Sequence, residues 1–429
     1  MATATPLPAE LWVVGPDGLV GTLHHTDPLS FSYAATWLAQ PFATSIHPSI
    51  PLSPEPIQTP YVSAFFENLL PEGEQRNLIS LREQVTTVFG LLAKVGGESA
   101  GAYVLVPAGE KPAPPIYQQL TWQQVNVLVH AHGAQSDERE KIEHAAQGLP
   151  RPRMSISGAQ YKILLYLDEH GNPSRPMGNA PSTHILKPDI IRNDIAIFAS
   201  SVNETIMMLA AAKCGLNTAK VAFQLDTNAC LVERYDRQRQ PDGTLKRIWQ
   251  ADFCQLMGRQ SDVKYEHDGG PGFTECFGLL ARSARPAVDR LQLLRWLFFN
   301  LCTGNNDSHA KNLSLIATSE GLRLAPFYDL MCTRVYPGLG AHFAFSIGGE
   351  FEPGKITDEH VLALANSLKV APRYLQSLAS QVCQQVQKAI AEAVDEVLPL
   401  LGSGEKVMAE RLVQKISTLS RKMAQRISK

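Results

Sequence analysis

The sequence predicts an α+β fold in which a β-rich part with one helix is followed by a helical part. Two observations predict it. Strand-like alternation is frequent up to about residue 237, whereas from about Ala251 onward apolar residues recur at helical spacing. The chain has 429 residues, of which 44% are hydrophobic, enough to bury one large core or about two to three modest ones. We therefore expect a globular protein with more than one domain.

The first predicted domain, residues 1–147, mixes strands and helices. Leu11–Leu23 alternates around a Pro-Asp-Gly turn, which predicts a hairpin. Ser63–Gly73 and Val85–Gly97 have helical periodicity, and the second run ends in glycine before the predicted strand Ala102–Pro107.

Two further domains follow a break rich in proline and glycine at Ala146–Met154. Residues 148–236 are predicted to be β-rich with one helix, capped by Asn203 and ended by Gly215. The predicted strands are Tyr161–Pro173, Thr183–Pro188, Val221–Asp226 and Cys230–Arg237. Residues 237–429 are predicted to be helical and to end in three amphipathic helices.

Charge and cysteine content limit the possible functions. The chain has 39 Lys and Arg against 41 Asp and Glu, a net charge of −2, so no overall basic field attracts nucleic acid or an anionic membrane. The seven cysteines form no C-x-x-C pair, which argues against zinc and against a disulfide framework. The chain has no secretory pattern at its start and no run of 18 apolar residues, so we expect a cytoplasmic protein.

Asp307 and Asn312 are the most informative pair of polar residues. They lie five residues apart in the segment GNNDSHAKNLSLI, which is the spacing of the kinase catalytic loop. In that loop the Asp accepts a proton and orients the attacking hydroxyl, and the Asn oxygen helps to hold Mg²⁺. Asp329, in LAPFYDLMC, follows an apolar strand where a second Mg²⁺ ligand belongs. A plain Asn/Asp-rich turn would also produce this spacing.

Lys187 and Glu204 precede this loop in the order that a kinase requires. Each has an ordinary explanation by itself, because Lys187 ends a strand and Glu204 is predicted in the first turn of a helix, where the dipole favours a carboxylate. Together they match a strand lysine that contacts phosphates and is held by a helix glutamate. Their order around Asp307 favours the catalytic interpretation.

Several other motifs remain open between a functional and a structural interpretation. Ser155–Gln160 is a loop of small residues that closes around phosphate oxygens or simply turns before a strand. Cys230–Arg237 meets an adenine edge or is an edge strand with alternating charges. Val263–Phe273 is a surface loop or a segment that orders near substrate. His309 is expected to fix the loop by packing or hydrogen bonding, and Lys311 either neutralises phosphoryl charge or faces solvent.

Taken together, the motifs resemble those of the HipA-type serine/threonine kinases, the toxins of bacterial type II toxin–antitoxin pairs. The resemblance is strongest from about residue 150 to 335 and looser before it. It implies a two-lobed, protein-kinase-like fold with an N-terminal α+β subdomain (1–147), an ATP-binding part (148–236) and a helical catalytic lobe (237–429). The matching motifs are SISGAQYK, THILKP, VNE, LVERYDR, VKYEHDGGPG, NNDSHAKNLSL and LAPFYDL.

The resemblance implies a role for each matching residue. Asp307 would be the catalytic base, Lys187 would contact the ATP phosphates with Glu204 near it, and Asn312 and Asp329 would be Mg²⁺ ligands. From its place in the loop, Lys311 is also predicted to be catalytic. Ser155 and Ser157 are the candidate autophosphorylation sites. Tyr161 stands where the family usually has an acidic residue, so that carboxylate's role is missing here. The predicted ATP-binding residues are Ser157, Gly158, Ala159, Gln160, Lys162, Lys187, Glu204, Glu233, Tyr235, Asp236 and His309.

The resemblance implies ATP and Mg²⁺ as cofactors and a protein serine as acceptor. The expected substrate is an aminoacyl-tRNA synthetase, the glutamyl enzyme above all, whose phosphorylation arrests translation and growth and leads to persistence. The expected partner is a helix-turn-helix antitoxin of the HipB type, through which alone the chain would reach DNA.

Two alternatives remain. One is a catalytically silent scaffold that acts as co-repressor with the DNA-binding antitoxin, although such a scaffold has no need of four intact catalytic positions. The other is a small-molecule phosphotransferase, although the loop of those enzymes usually begins His-Gly-Asp, whereas Asn305 and Asn306 precede Asp307 here.

Overall fold

The computed structural model describes residues 7–130, 137–151, 153, 160–192 and 194–427. The chain forms two compact units, each built from two separate stretches of sequence. Unit 1 comprises Met1–Ile185 and Arg234–Asp262, and unit 2 comprises Leu186–Glu233 and Val263–Lys429. The three consecutive domains proposed from the sequence divide the chain differently, because each unit contains residues from more than one of them.

Fifteen strands are present in the described residues. In chain order they are β1 (Glu10–Gly15), β2 (Gly18–His24), β3 (Ser30–Tyr33), β4 (Val104–Pro107), β5 (Ile116–Gln119), β6 (Ile163–Leu167), β7 (Pro173–Met177), β8 (His184–Lys187), β9 (Val221–Gln224), β10 (Ala229–Glu233), β11 (Arg237–Arg239), β12 (Leu245–Arg247), β13 (Gln250–Asp252), β14 (Ser314–Thr318) and β15 (Gly321–Leu324).

Thirteen α-helices lie in the same parts of the chain. They are α1 (Ala35–Leu38), α2 (Pro60–Glu67), α3 (Gly73–Glu83), α4 (Val88–Val95), α5 (Trp122–His130), α6 (Asp137–Ala145), α7 (Ser200–Lys213), α8 (Phe253–Leu256), α9 (Phe273–Leu279), α10 (Pro286–Thr303), α11 (Asp358–Leu368), α12 (Pro372–Val397) and α13 (Ser403–Ile427). In the part of the chain that the structure describes, no helix combines the length and apolar character needed to cross a membrane.

Unit 1 begins with the predicted hairpin, which is confirmed. β1 and β2 pair antiparallel with Trp12 opposite Thr22, and the sheet order is β3-β2-β1-β4. The helices α2 and α4 contribute to its core, where the rings of Phe65 and Phe66 meet edge to face at 5.3 Å. Strands β5, β7 and β6 are neighbours in a second sheet, and β7 pairs antiparallel with both of the others. The prediction overlooked β7, because its two prolines are unfavourable in a central strand.

Unit 2 is dominated by helices, and most of them come from residues 237–429, the part predicted to be helical. The three amphipathic helices at the end of the chain are α11, α12 and α13. The long helix α12 packs against α13, α7 and α10, so its apolar stripe lies at the centre of the unit. In the core, Trp296 of α10 stacks on Phe327 with ring centroids 5.8 Å apart.

The start of α7 differs from the prediction. The helix begins at Ser200, so Asn203 lies inside it and is not the N-cap, and Glu204 lies beyond the first turn. The carboxylate of Asp189, which precedes the helix, accepts hydrogen bonds from the Ser201 N–H at 2.8 Å and the Ser201 hydroxyl at 2.7 Å. Asp189 therefore caps the start of the helix, the role that was predicted for Asn203. An acceptor from a preceding loop satisfies the first backbone N–H groups of a helix equally well. The predicted end is confirmed, since Gly215 has φ +78° just after α7.

The predicted strand Cys230–Arg237 is also shorter than expected. β10 ends at Glu233, and Arg234 and Asp236 leave the strand and become buried in unit 1. The alternating pattern continued past the true end because these two charged residues are buried as ion pairs and not exposed, which a polarity pattern does not reveal.

Candidate functional site

Lys187 at the end of β8 forms two ion pairs in unit 2. Its ammonium group lies 2.7 Å from Oε1 of Glu204 and 2.7 Å from Oδ1 of Asp329. The Glu204 side chain is fully buried, that of Lys187 is 8% exposed, and that of Asp329 is 40% exposed. The site therefore has a buried acidic end at Glu204 and an open acidic end at Asp329, with the lysine between them.

The local sequence explains why these groups meet. The strand HILK ends at Lys187 because Pro188 follows and has no N–H for the ladder. Glu204 projects from α7, a helix whose residues from Ser200 to Met208 are all buried. A buried carboxylate is costly without a cation, so Glu204 and Lys187 depend on each other. Asp329 has φ +59°, a left-handed backbone conformation that is uncommon outside glycine and is often found at functional sites.

The protonation state of Lys187 follows from this environment. Burial alone would lower its pKa, but the nearby carboxylates of Asp329 and Glu204 outweigh burial and raise the pKa above its ordinary value. The group is therefore a permanent cation at physiological pH. A fixed cation beside a half-exposed carboxylate suits the binding of anionic phosphate oxygens.

The loop that carries Asp307 follows α10 directly. The helix ends at Thr303, and Gly304 has φ +75°, the usual conformation for terminating a helix. Among residues 301–316 only Asp307 is exposed, while its neighbours are buried. The loop thus presents one carboxylate to solvent from an otherwise packed segment.

Polar contacts hold this loop in shape. Nδ2 of Asn312 donates to the Asp307 carbonyl at 3.1 Å, and Nδ2 of Asn306 donates to the carbonyls of Gly340 and Ala341, each at 3.0 Å. The Ser308 hydroxyl donates to the carbonyl of Asn305 at 3.1 Å. These bonds give the asparagines a structural role in addition to any chemical one.

The same loop is tied to the segment around Asp329. The Tyr328 hydroxyl donates to the Lys311 carbonyl at 2.8 Å, and the Asn306 N–H donates to the Thr333 hydroxyl at 3.0 Å. Asn203 of α7 holds the other side, because its Nδ2 donates to the Cys332 carbonyl at 3.1 Å and its Oδ1 accepts from the Cys332 N–H at 2.9 Å. The residues on either side of Asp329 are thus fixed both to the loop that carries Asp307 and to α7.

Asn203 is a site residue whose role the sequence reasoning missed. It stands next to Glu204 in the motif VNE, but it was assigned to helix capping. Its side chain instead clamps the segment 330–333, as the two bonds to Cys332 show. The available signal was its position directly before Glu204 in the motif VNE.

The donor groups suit Mg²⁺. Because Nδ2 of Asn312 is committed to the Asp307 carbonyl, the amide oxygen is the atom left for a metal, and Asp329 supplies a partly exposed carboxylate. Hard cations prefer such oxygen ligands, and Mg²⁺ commonly takes one or two of them and completes its shell with water and phosphate. Among the described residues, no group of three or more His, Cys, Asp or Glu side chains could hold a metal by itself.

His309 and Lys311 are both buried in the loop. The ring of His309 meets that of Tyr265 edge to face with centroids 5.0 Å apart, which agrees with the packing role expected for it. Lys311 is only 4% exposed, so the alternative that it faces solvent is wrong. Its catalytic role remains a prediction.

The residues predicted to meet adenine and ribose fall in both units. Glu233 ends β10 in unit 2 and pairs with Lys220 at 3.2 Å, with side chains that are 46% and 82% exposed, respectively. Tyr235 belongs to unit 1, where its hydroxyl donates to Oε1 of Gln250 at 2.5 Å. Their roles in nucleotide binding stay predictions.

Asp236, the third residue predicted to line the adenine and ribose site, makes structural contacts in unit 1. Both of its oxygens accept bonds from Arg234, at 2.9 and 2.7 Å, and Oδ2 also accepts from the Gly101 N–H at 2.7 Å. Burial alone would raise its pKa, but Arg234 and Arg237 outweigh burial and lower it. Asp236 is thus a buried counter-ion in unit 1, and its predicted place in the adenine and ribose site stays a prediction.

The same arginines surround Glu98, which is fully buried in unit 1. Oε1 of Glu98 pairs with Arg234 at 2.9 Å and Arg237 at 3.0 Å, and Oε2 pairs with Arg247 at 2.7 Å. Burial alone would raise the pKa of Glu98, but the three guanidinium groups lower it to about 2. The Glu98 cluster, meaning Glu98, Arg234, Asp236, Arg237 and Arg247, was not predicted from the sequence.

The predicted phosphate loop is only partly covered. Ser155, Ser157, Gly158 and Ala159 lie outside the described residues. Gln160 and Lys162 are described, and both are half-buried in unit 1 just before β6. Their predicted contacts with nucleotide therefore stay predictions.

Fold and site together define an enzyme of the kinase class. A strand lysine is paired with a helix glutamate and with an aspartate, in the same unit as a loop with the Asp-x-x-x-x-Asn spacing. Comparison with known proteins then identifies the family. The HipA-like C-terminal domain family matches residues 154–390, and the HipA N-terminal domain family matches residues 11–106. The chain belongs to the HipA family of serine/threonine kinase toxins.

Individual relatives agree over almost the whole chain. The putative kinase Y4mE of Sinorhizobium fredii is 34% identical over 379 residues, which cover 87% of this chain and 88% of the relative. The serine/threonine-protein kinase toxin HipA of Shewanella oneidensis is 29% identical over 423 residues, covering 93% and 92%. The structure of the Shewanella oneidensis MR-1 complex of HipA, HipB and operator DNA matches with a TM-score of 0.82 at 26% identity, covering 97% of this chain and 98% of that one. The predicted fold class, family and enzyme class are confirmed.

Proposed function

We propose that this chain transfers the γ-phosphate of ATP to a serine of another protein. The observation that carries the proposal is the pairing of Lys187 with both Glu204 and Asp329 at 2.7 Å, in the unit that also presents Asp307 from a packed loop. Phosphoryl transfer depends on positioning and charge stabilisation more than on covalent chemistry, and these residues supply both.

Each side chain of the site has its own role in this proposal. Asp307 orients the acceptor hydroxyl and takes its proton, because its carboxylate is exposed while the loop around it is fixed. Lys187 keeps its charge and pairs with phosphate oxygens. Asn312 and Asp329 would hold Mg²⁺, which neutralises charge on the phosphates when bound. Asn203 and Tyr328 keep the Asp329 segment in place.

The acceptor that we propose is an aminoacyl-tRNA synthetase, with the glutamyl enzyme as first candidate, and its phosphorylation would arrest translation and growth. Membership of the HipA family supports this proposal. We also propose a HipB-type helix-turn-helix partner, since the matching Shewanella structure is a complex of HipA with HipB and operator DNA. The net charge of −2 agrees with a protein that reaches DNA through such a partner.

We further propose that Ser155 or Ser157 accepts phosphate from the same site. A phosphoserine carries about −1.5 to −2 charges, which would repel an anionic nucleotide beside it. Such a modification would weaken ATP binding and switch the enzyme off.

The Asp307→Asn variant tests the proposed function. We expect it to lose at least about a hundredfold in the rate of phosphate transfer from radiolabelled ATP, because the general base is gone, while its melting temperature stays near that of the wild type. Transfer is measured into the chain itself, with Ser155 and Ser157 peptides resolved by mass spectrometry, and into proteins of a cell lysate. Asp395→Asn on α12 is the matched control, since Asp395 is also an exposed aspartate of unit 2.

The result also separates the alternatives. An Asp307→Asn variant that labels proteins at the wild-type rate would refute the proposed role of Asp307. Wild-type protein that binds the antitoxin but transfers no phosphate would indicate the silent scaffold, and labelling of small molecules alone would indicate the small-molecule phosphotransferase.

A further inference from the structure

The segment Val263–Phe273, which the sequence left open between a surface loop and a substrate-proximal element, contacts the proposed catalytic base. The hydroxyl of Tyr265 donates a hydrogen bond to Oδ1 of Asp307. Both residues belong to unit 2 and lie 42 positions apart in the chain. Tyr265 is half-buried and Asp307 is exposed, so the bond lies where the base is open to solvent.

Tyr265 makes a second contact with the loop that carries Asp307. Its ring meets the ring of His309 edge to face, with centroids 5.0 Å apart and planes at 85°. His309 is buried and lies two residues after Asp307. The tyrosine thus contacts the loop through its ring and the base through its hydroxyl, which fixes the direction from which the hydroxyl approaches.

The backbone around Tyr265 is itself anchored. The carbonyl of Tyr265 accepts bonds from the N–H groups of Asp268 at 3.1 Å and Gly270 at 2.9 Å, which closes a tight turn. A side chain at Gly270 would meet the Val263 carbonyl at 2.2 Å, so only glycine allows this closure. Glu266 ties the turn to the body of unit 2, because its carboxylate accepts from the Ser346 N–H at 2.9 Å and the Ser346 hydroxyl at 2.6 Å.

An exposed aspartate needs such a partner to act as an oriented base. Its side chain would otherwise rotate among several directions, and only some of them face an acceptor hydroxyl. A carboxylate has two oxygens with about four lone-pair positions. A bond from Tyr265 to Oδ1 occupies one of them and leaves Oδ2 to accept the proton of the acceptor serine.

We propose that Tyr265 is a positioning residue for the catalytic base, holding the Asp307 carboxylate by Oδ1 so that Oδ2 faces the acceptor hydroxyl. The inference rests on the proposed function of Asp307, and it gives the VKYEHDGGPG segment a task that the general kinase mechanism does not contain. Tyr265 exchanges no proton with substrate, so its removal slows transfer without abolishing it.

The Tyr265→Phe variant of the full-length chain tests this proposal. It keeps the ring contact with His309 and removes only the hydroxyl. We expect kcat for transfer from Mg-ATP to fall about tenfold, since an incorrectly oriented base forfeits part of the roughly 100- to 10,000-fold that general base catalysis supplies. The KM for ATP should stay within about twofold, because Tyr265 contributes to the transfer step and not to uniform binding. Initial rates are measured with radiolabelled ATP and myelin basic protein as a generic acceptor.

Tyr117→Phe is the matched control. Tyr117 lies in unit 1, and its hydroxyl donates a single bond to the Pro181 carbonyl at 3.0 Å, so the variant loses the same chemical group away from Asp307. A reduced kcat in Tyr265→Phe with an unchanged KM for ATP, and wild-type kinetics in Tyr117→Phe, support the proposal.

Three outcomes overturn it. An unchanged kcat in Tyr265→Phe shows that the bond does not position the base, and a raised kcat shows that the hydroxyl blocks it. An equal loss in both tyrosine variants shows a general structural effect. Asp307→Asn is assayed alongside: if it is inactive while Tyr265→Phe is fully active, only the inference on Tyr265 fails, whereas an active Asp307→Asn removes the proposed function as well.

Discussion

Lys187 combines a stabilising and a chemical task in one side chain. Its partner Glu204 is fully buried, whereas its partner Asp329 is 40% exposed. The bond to Glu204 therefore compensates a buried charge, and the bond to Asp329 reaches the part of the site that ligands can approach. These two tasks should be separable by mutation.

The Lys187→Met variant should lose both stability and activity. Removing one partner of a buried pair leaves Glu204 uncompensated, at a cost of about 3–5 kcal/mol in the free energy of unfolding. Adding Glu204→Leu should restore much of this stability, since a well-packed apolar pair replaces the ion pair, but transfer should remain absent because no cation faces the phosphates. Urea unfolding and transfer assays measure the two effects.

Lys388→Met is the control for this pair of variants. Lys388 is 83% exposed and pairs with Glu392 one turn along α12 at 3.6 Å, so its loss should change the free energy of unfolding by no more than about 0.5 kcal/mol. Equal stabilities of the Lys187→Met and Lys388→Met proteins would contradict the structural role of the buried pair.

Single residues also show the reach of sequence reasoning. Asp307, Asn312, Asp329, Lys187 and Glu204 were predicted as site residues from spacing and order, because each lies in a short local motif. The structure brings Lys187, Glu204 and Asp329 together, whereas the catalytic roles stay predictions. The capping role assigned to Asn203 was wrong, and the buried ion pairs of Asp236 were not predicted, since both are buried polar residues with partners that are remote along the chain. Polarity patterns predict exposure for such residues, and only their partners explain why they are buried.

Helix α10 and the loop after it form the element that brings Asp307 to the surface. Gly304 ends the helix in a left-handed conformation, and the loop turns away immediately. A side chain at Gly304 would lie 2.7 Å from Cδ1 of Leu419 and 2.9 Å from Cγ of Arg334. The position therefore excludes larger residues both by conformation and by space.

The Gly304→Ala variant should displace this element. We expect the melting temperature to fall and the rate of phosphate transfer to drop by more than about tenfold. Asp307 lies only three residues after Gly304, and a shift of about 1 Å is enough to misplace a catalytic group. Thermal unfolding and the radiolabel assay give both values.

Gly349→Ala provides the comparison at the level of elements. Gly349 also has a left-handed φ of +93°, but nothing lies within 4 Å of an added Cβ. This variant should show only the conformational cost of about 1–2 kcal/mol with normal transfer. Equal effects of both substitutions on transfer would contradict a special role for the end of α10.

The elements themselves were largely predictable. The β1–β2 hairpin, helix α7 and the three C-terminal helices follow from alternation, helical periodicity and glycine stops. Their ends were less predictable, as α7 shows, because the acceptor in Asp189 that satisfies the start of the helix lies outside the helical pattern. Strand β7 was missed because two prolines in five residues contradict its propensity.

Each unit as a whole is assembled from residues that are far apart in sequence. In unit 1 the Glu98 cluster joins residue 98 to arginines 136, 139 and 149 positions later. These buried ion pairs link the first stretch of the unit, Met1–Ile185, to its second stretch, Arg234–Asp262. The cohesion of unit 1 should therefore depend strongly on the charge of Glu98, the carboxylate that pairs with all three arginines.

This dependence predicts a specific response to acid. The pKa of Glu98 is lowered from an ordinary value of 4.5 to about 2 in the folded state. A carboxylate with a lowered pKa contributes stability above its unfolded pKa, and this contribution is lost as the pH falls from about 4.5 towards 2. Glu98→Gln should be less stable than wild type by about 3–5 kcal/mol at pH 7, because the arginines lose their counter-charge.

The decisive measurement is the difference in the free energy of unfolding between the wild type and Glu98→Gln. We expect this difference to become smaller as the pH falls from 7 to about 2 and Glu98 becomes protonated. Urea unfolding followed by tryptophan fluorescence at several pH values in this range measures it. Glu138→Gln is the control, since Glu138 forms an exposed pair with Lys141 at 3.3 Å and should follow the wild type. A gap that stays constant with pH would contradict the role assigned to Glu98.

The amino-acid sequence by itself predicted the family, the kinase chemistry and most of the secondary structure, because each is encoded in short-range spacing and periodicity. Three pairings lay beyond it: Lys187 with Asp329 across 142 positions, Tyr265 with Asp307 across 42, and Glu98 with its arginines across more than 130. Such pairings depend on how the chain closes and packs on itself. The same local pattern is compatible with many closures, and only the folded chain selects one of them.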